Sequence, residues 1–177
     1  MAKNIEIKAI LREPAAVEKR IKQFTGNDIS AVLHQTDTFY RSPFGRIKIR
    51  GINNNSTELI FYNRTNSAEV RKCRYYRFKL YFPKITKGLF KTFFGTRGKV
   101  EKERRLYFYG NTRIHIDRVN NLGSFIEFEY VVDEIHQEEK GYEVVNELMN
   151  NLGIKDEDVL SVSYIDMLIG GCKVGEL

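Results

Sequence analysis

Cysteine and proline are scarce in this chain, with two and three copies in 177 residues. So little proline argues against a linker-rich assembly. Cys73 and Cys172 lack the spacing of a zinc site or a disulfide framework, which fits a reducing compartment. No continuous apolar run opens the chain, because Lys3, Glu6, Lys8 and Arg12 interrupt residues 1–12. Neither secretion nor membrane crossing is therefore expected, and the chain reads as a soluble cytoplasmic protein. With 42% hydrophobic and 29% charged residues, disorder and fibrous repeats are excluded as well. The length fits one domain over residues 1–177, with no internal repeat or interdomain linker.

Acidic residues are also scarce, but only in the middle. Residues 41–118 hold 20 basic and 5 acidic side chains, a balance of +15 inside a chain whose net charge is +6, so the remainder carries −9. A basic middle of this kind implies an anionic partner, and phosphate is the commonest in the cell.

What is abundant is alternation of polar and apolar residues, the period of a half-buried strand. It predicts strands at Asn4–Lys8, Thr36–Arg41, Arg46–Arg50, Glu58–Arg64, Arg74–Phe82, Lys99–Tyr109, Thr112–Arg118 and Ser124–Val132. Short joints at Gly51–Asn55 and Tyr109–Asn111 imply hairpins, hence antiparallel pairing. Helical spacing accounts for three other stretches: Pro14 through Phe24 up to Gly26, Ile85, Leu89 and Phe93 ahead of Gly95, and Glu138 through Leu152 up to Gly153. Tyr164–Ile169 fits either a strand or a helix, and Asp156-Glu157-Asp158 reads as a solvated helix start.

Eight antiparallel strands usually close into a barrel, because open twisted sheets leave aggregation-prone edges. The expected fold class is α+β, a closed eight-stranded barrel with helices packed outside. The amphipathic helices need the apolar strand faces, so the charged faces are left to line the interior. That interior would hold Lys48, Arg50, Lys102, Arg104 and Arg113 beside Glu6, Glu127 and Glu129. Buried charge at this density is costly unless it stays wet or meets charged ligands. Cations along the walls suit a run of phosphates, and carboxylates among them suit a hard divalent cation, Mg²⁺ or Mn²⁺, placed between them and phosphate.

An ordered series of motifs carries a resemblance: Asn4-Ile5-Glu6-Ile7-Lys8-Ala9, Gln35-Thr36-Asp37-Thr38-Phe39-Tyr40, Gly45-Arg46-Ile47-Lys48-Ile49-Arg50, Glu58-Leu59-Ile60-Phe61-Tyr62, Val100-Glu101-Lys102-Glu103-Arg104, Thr112-Arg113-Ile114-His115-Ile116-Asp117, Gly123-Ser124-Phe125-Ile126-Glu127-Phe128-Glu129 and Ser163-Tyr164-Ile165-Asp166-Met167-Leu168. The chain resembles the CYTH superfamily of triphosphate tunnel metalloenzymes over nearly its whole length, and within it the class IV adenylyl cyclase-like and thiamine-triphosphatase-like branch. The resemblance implies that Glu6, Glu127 and Glu129 bind divalent metal, Mg²⁺ or Mn²⁺. It implies that Lys8, Lys48, Arg50, Lys102, Arg104 and Arg113 hold a triphosphate, with Lys8, Asp117 and Glu129 as the catalytic groups and Asp117 near the metals. Asn4 stands where the family motif has its first Glu, which removes one anionic ligand from a second metal. Tyr62-Asn63-Arg64 stands where an inward lysine is frequent and leaves Arg64 as an additional candidate contact.

His115 reads as a hydrogen-bonded wall residue rather than an acid or base, and His34 and His136 offer no partner pattern. Leu89, Phe90, Phe93 and Phe94 read as core or packing residues. The functional expectation is a divalent-metal-dependent phosphohydrolase of inorganic or small organic triphosphates. The alternative on the same machinery is a class IV-type adenylyl cyclase that makes cyclic AMP and pyrophosphate from ATP. A nucleic-acid or polyanion-binding module is the remote alternative, disfavoured because the cations alternate with aliphatic residues instead of stacking aromatics and because Glu127 and Glu129 would repel a backbone. The expected partners are a triphosphate or nucleotide, no membrane, and at most a second copy of the chain, as monomer or homodimer.

Overall fold

Period-two alternation builds the architecture, which a computed structural model describes for residues 2–64, 69–133 and 137–171. The strands are β1 (Ala2–Ile10), β2 (Ala31–Tyr40), β3 (Arg46–Ile52), β4 (Ser56–Arg64), β5 (Arg71–Lys79), β6 (Thr96–Tyr109), β7 (Thr112–Val119) and β8 (Gly123–Val132). All neighbours pair antiparallel in a closed barrel of order β1-β5-β4-β3-β2-β6-β7-β8. Two meanders, β2 to β5 and β6 to β8, make the walls. β1 joins them on one side by pairing with both β5 and β8, and the β2–β6 seam joins them on the other. The hairpins predicted at Gly51–Asn55 and Tyr109–Asn111 connect β3 to β4 and β6 to β7. Asn53 and Asn54 turn the first of these with φ of 50° and 55°, the left-handed conformation that asparagine tolerates better than most residues.

Four helices decorate the barrel: α1 (Pro14–Thr25), α2 (Pro83–Phe94), α3 (Glu138–Leu152) and α4 (Tyr164–Gly170). Ile5, Ile7 and Ala9 point outward from β1 and pack with Val17 and Ile21 of α1 and Val145, Leu148 and Leu152 of α3. Each such aliphatic side chain taken from water contributes about 1.5–3 kcal/mol, so α1 and α3 are held firmly. A side chain at Gly141 would put its Cβ 2.8 Å from Ile5 and Tyr130, which shows how closely α3 lies on β1 and β8. None of the described helices is long and apolar enough to cross a membrane.

Several expectations need correction. β5 runs over Arg71–Lys79 rather than Arg74–Phe82, because Pro83 opens α2 and Phe82 serves as its N-cap. β2 begins at Ala31 rather than Thr36, since the distal half of β6 offers partners as far as Leu106. Tyr164–Ile169 lies in helix α4, nucleated by a capping box in which Ser163 and Asp166 satisfy each other's backbone N–H groups. The aromatics of α2 are not core. That helix has no buried residue, Leu89 and Phe93 are 52% and 76% exposed, and only Phe90 reaches Tyr40, at a centroid distance of 5.4 Å.

Candidate active site

Because the apolar faces serve the outer helices, the polar faces converge on an internal cavity of about 430 Å³. α4 stoppers one end of it. Ser163 and Tyr164 reach its lining, and the Tyr164 ring packs at a tilt against Phe125, centroids 4.8 Å apart, in an apolar cluster with Ile10, Phe39, Val100 and Leu160. Side-chain exposure falls along the walls toward this stopper, from 54% at Arg77 and 24% at Arg113 to 3% at Lys102. Leu33, Ile52, Leu106 and Phe108 form an apolar rim at the open end. A second depression, of about 690 Å³, on the outer face of the barrel holds exposed mixed charge, including the pair Lys99–Glu101, and lacks this convergence.

Two copies of one arrangement dominate the cavity. On β2 and β3, Asp37 accepts from Lys48 Nζ at 2.7 Å and from Arg50 Nε and Nη2, both at 2.7 Å. On β6 and β7, Asp117 accepts from Lys102 Nζ at 2.6 Å and from Arg104 Nε and Nη2 at 2.6 and 2.7 Å. In each, strand alternation puts lysine and arginine two residues apart on one face, and the cross-strand register sets the aspartate directly opposite the arginine. Burial works against both carboxylates, but Arg50 and Lys48 in one case and Arg104 and Lys102 in the other outweigh it and hold them well below the usual range. The lysines experience the reverse effect: burial, and then the adjacent arginine, push Lys48 down to about 8 and Lys102 down to about 7.

The third wall is acidic. Glu127 accepts from Arg104 Nη2 at 2.6 Å and lies 3.6 Å from Lys8 Nζ, which in turn sits 4.0 Å above the Tyr164 ring. Glu129 pairs with Arg113 Nη2 at 3.0 Å. Burial opposes the ionised form of both, and it is overcome chiefly by Lys8 at Glu127 and by His115 and Arg113 at Glu129, so both stay below the usual carboxylate range. His115 Nδ1 lies 3.8 Å from Glu127 and 3.7 Å from Glu129, and burial, followed by the nearby Arg104, pushes its pKa down. Asn4 is buried against this wall. With the carboxamide oriented to satisfy both its ends, its nitrogen donates to Lys3 O at 2.9 Å and its oxygen accepts from Arg113 at 3.0 Å.

Of the residues singled out in the sequence, Glu6, Lys8, Lys48, Arg50, Lys102, Arg104, Arg113, Glu127 and Glu129 all line the cavity. Asp117 does not. It lies fully buried behind Lys102 and Arg104, where it also accepts from Tyr164 OH at 3.0 Å. Glu6 turns to Arg71, whose Nε is 3.4 Å away, while His115, Glu127 and Glu129 bring ligand atoms within 4.8 Å of one another. His115 is thus no ordinary hydrogen-bonded wall residue, for its Nδ1 has no hydrogen-bond partner. The Arg64 side chain, His136 and Cys172 lie outside the described residues. The sequence assigns no role to Asp37, Arg71 or Tyr164. Only Asp37 gave a signal, as the lone acid in a strand of threonines and aromatics.

The fold and this charged interior define a class, and comparison with known proteins agrees. The CYTH domain family model matches residues 2–164, and the chain belongs to that family. Among solved structures, the PH1012 protein of Pyrococcus horikoshii OT3 superposes with a TM-score of 0.82 at 24% identity, covering 92% of this chain and 98% of its own. A candidate adenylate cyclase of Vibrio parahaemolyticus gives 0.75 at 18%, covering 94% and 97%. The candidate adenylyl cyclase HpAC1 of Hippeastrum, described as having a dominant triphosphatase activity, gives 0.68 at 14%, covering 98% and 97%. The curated proteins contain no match to the chain.

Proposed function

We propose that the chain is a divalent-metal-dependent phosphohydrolase of inorganic or small organic triphosphates. The observation that supports this most is the pair of aspartate-clamped Lys-x-Arg units, Lys48/Arg50 and Lys102/Arg104, converging on one cavity whose remaining wall is acidic. Cations alone would suit any anion. Cations facing carboxylates suit an anion that arrives with a metal, because carboxylates otherwise repel phosphate.

In this reading Lys48, Arg50, Lys102, Arg104 and Arg113 neutralise the phosphoryl oxygens through charge-assisted hydrogen bonds. Asp37 and Asp117 act as positioning residues, since each fixes the direction of a lysine and an arginine without reaching the substrate. Lys8 meets the deepest phosphoryl group and offsets the charge that develops there in the transition state. Glu127 and Glu129, with Glu6 near them, would hold Mg²⁺ or Mn²⁺, which when bound polarises phosphoryl oxygens and acidifies water. The unpartnered buried nitrogen of His115 beside two ionised carboxylates fits such an ion. Glu129 orients the attacking water, whose proton passes to solvent.

The apolar rim of Leu33, Ile52, Leu106 and Phe108 favours a second reading, in which an organic group stays at the mouth and the α-phosphorus lies nearest to it. The ribose 3′-hydroxyl of ATP would then attack the α-phosphorus, with pyrophosphate leaving and cyclic AMP forming. Product analysis separates the two. Incubation with triphosphate, ATP and thiamine triphosphate, each with Mg²⁺ or Mn²⁺, yields orthophosphate in the first reading and cyclic AMP with pyrophosphate in the second. Turnover undiminished in excess chelator would overturn both.

A further inference from the structure

Strand register, rather than sequence proximity, creates the one cluster of metal-ligating atoms found among the described residues. His115 on β7 is the cross-strand partner of Glu127 on β8, and Glu129 follows two residues later on the same face. The three donor atoms lie within 4.8 Å of one another, with His115 Nδ1 at 3.8 Å from Glu127 Oε2 and 3.7 Å from Glu129 Oε1. These separations are too long for hydrogen bonds. They are close to those of ligands sharing an ion, since donors about 2.1 Å from one centre stand about 3 to 4 Å apart. The imidazole is buried and its Nδ1 has no hydrogen-bond partner, an arrangement that costs free energy unless something electrophilic sits there.

A nitrogen donor changes which ion the cluster selects. Mg²⁺ takes oxygen ligands and keeps its water, whereas imidazole binds first-row transition ions with rising strength from Mn²⁺ through Co²⁺ toward Zn²⁺. We propose that His115, Glu127 and Glu129 form a mixed nitrogen and oxygen site that prefers a first-row transition ion to Mg²⁺, with His115 as the residue that sets the preference. This rests on the reading of the cavity as a metal-dependent phosphate site, and it makes His115 a ligand rather than a wall residue. The Asn4 side chain, 3.4 Å from Glu129, is neutral, and Glu6 turns toward Arg71, whose Nε is 3.4 Å away.

Co²⁺ tests the idea without any turnover, because its visible absorption reports the donor set. Equilibrium dialysis and absorption titrations with CoCl₂, MnCl₂ and MgCl₂ are run on the full chain, on His115→Gln and on His34→Gln, which alters an exposed histidine. The expected result is one bound Co²⁺ per wild-type chain and per His34→Gln chain. In His115→Gln, Co²⁺ affinity falls about 10- to 100-fold with a changed spectrum, while Mg²⁺ affinity is unchanged. Equal Co²⁺ affinity and spectrum in wild type and His115→Gln would overturn the proposal, as would the absence of Co²⁺ binding to a folded wild type. A chain that hydrolyses triphosphate with Mg²⁺ but shows no His115-dependent preference defeats this inference and leaves the proposed function standing. A His115-dependent Co²⁺ site in a chain that acts on no triphosphate does the reverse.

Discussion

Replacing Asp117 with asparagine isolates what a fully buried counter-charge contributes. The aspartate accepts from Lys102, Arg104 and Tyr164 at 2.6–3.0 Å, with no water-exposed surface. Asp117→Asn keeps the shape of the side chain and removes its charge. Breaking a buried pair on one side typically costs about 3–5 kcal/mol, because the abandoned cation stays desolvated. Two features of this site favour the lower end. Arg104 keeps Glu127 at 2.6 Å, and Lys102, already pushed down to about 7, can shed its proton. The expected loss is therefore about 3 kcal/mol near pH 8, a large part of the roughly 5–15 kcal/mol that holds a domain folded. With a urea dependence of about 2 kcal/mol per molar, the unfolding midpoint drops by about 1.5 M. The loss should deepen at pH 6. A lysine whose folded pKa lies below its unfolded value leaves the unfolded chain binding more protons between the two, so stability rises with pH across that window, and Asp117→Asn steepens the slope. Adding tripolyphosphate should recover more stability in the variant than in wild type, about 2.7 kcal/mol at a hundred times its dissociation constant. An unchanged urea midpoint, or a variant indifferent to tripolyphosphate, would refute the view that Asp117 offsets these cations and that phosphate can stand in for it.

Other consequences are equally open to measurement. Since burial depresses Lys102 to about 7 and Lys48 to about 8, bound phosphate should raise both, and binding near pH 8 should take up about one proton. Calorimetry in two buffers of different ionisation enthalpy reads this uptake, and identical heats would contradict it. Glu129→Gln should lower turnover at least about 100-fold with the fold intact, and wild-type rates in a well-folded variant would remove Glu129 from the chemistry. Asn4→Glu places a carboxylate between Glu129 and Arg113, so the metal concentration for half-maximal rate should fall. Superimposable metal titrations would leave Asn4 a bystander.

The barrel was readable in the sequence because each strand declares two faces. Ile5 and Ile7 against Glu6 and Lys8, or Ile47 and Ile49 against Lys48 and Arg50, say which side packs and which side is charged. Closure then follows from having eight such strands. What was not readable depends on register. Nothing in Gln35-Thr36-Asp37 reveals that Asp37 will face Arg50, nor does Arg113-Ile114-His115 reveal that His115 will meet Glu127, because one residue of slip would change every partner. α2 misled for a different reason. Helical spacing of Ile85, Leu89 and Phe93 records an apolar stripe but not whether anything covers it, and here that stripe stays in water. The sequence leaves Tyr164–Ile169 open between strand and helix because a seven-residue helix is too short to show a period, and the place of Tyr164 depends on the Ser163 cap.

Tyr164 of α4 lies across one end of the corridor inside the barrel. Lys8 and Lys102 lie beneath Tyr164 with Asp117 buried behind Lys102, and the apolar rim frames the other end. In the proposed hydrolysis, a linear polyanion entering past the rim would go tip first, and the piece cut from that tip would sit behind the rest of the molecule until it backed out. Departure of the shorter fragment would then be tied to departure of the longer one, and an excess of product at the doorway would slow turnover more than its affinity for the inner walls alone would suggest.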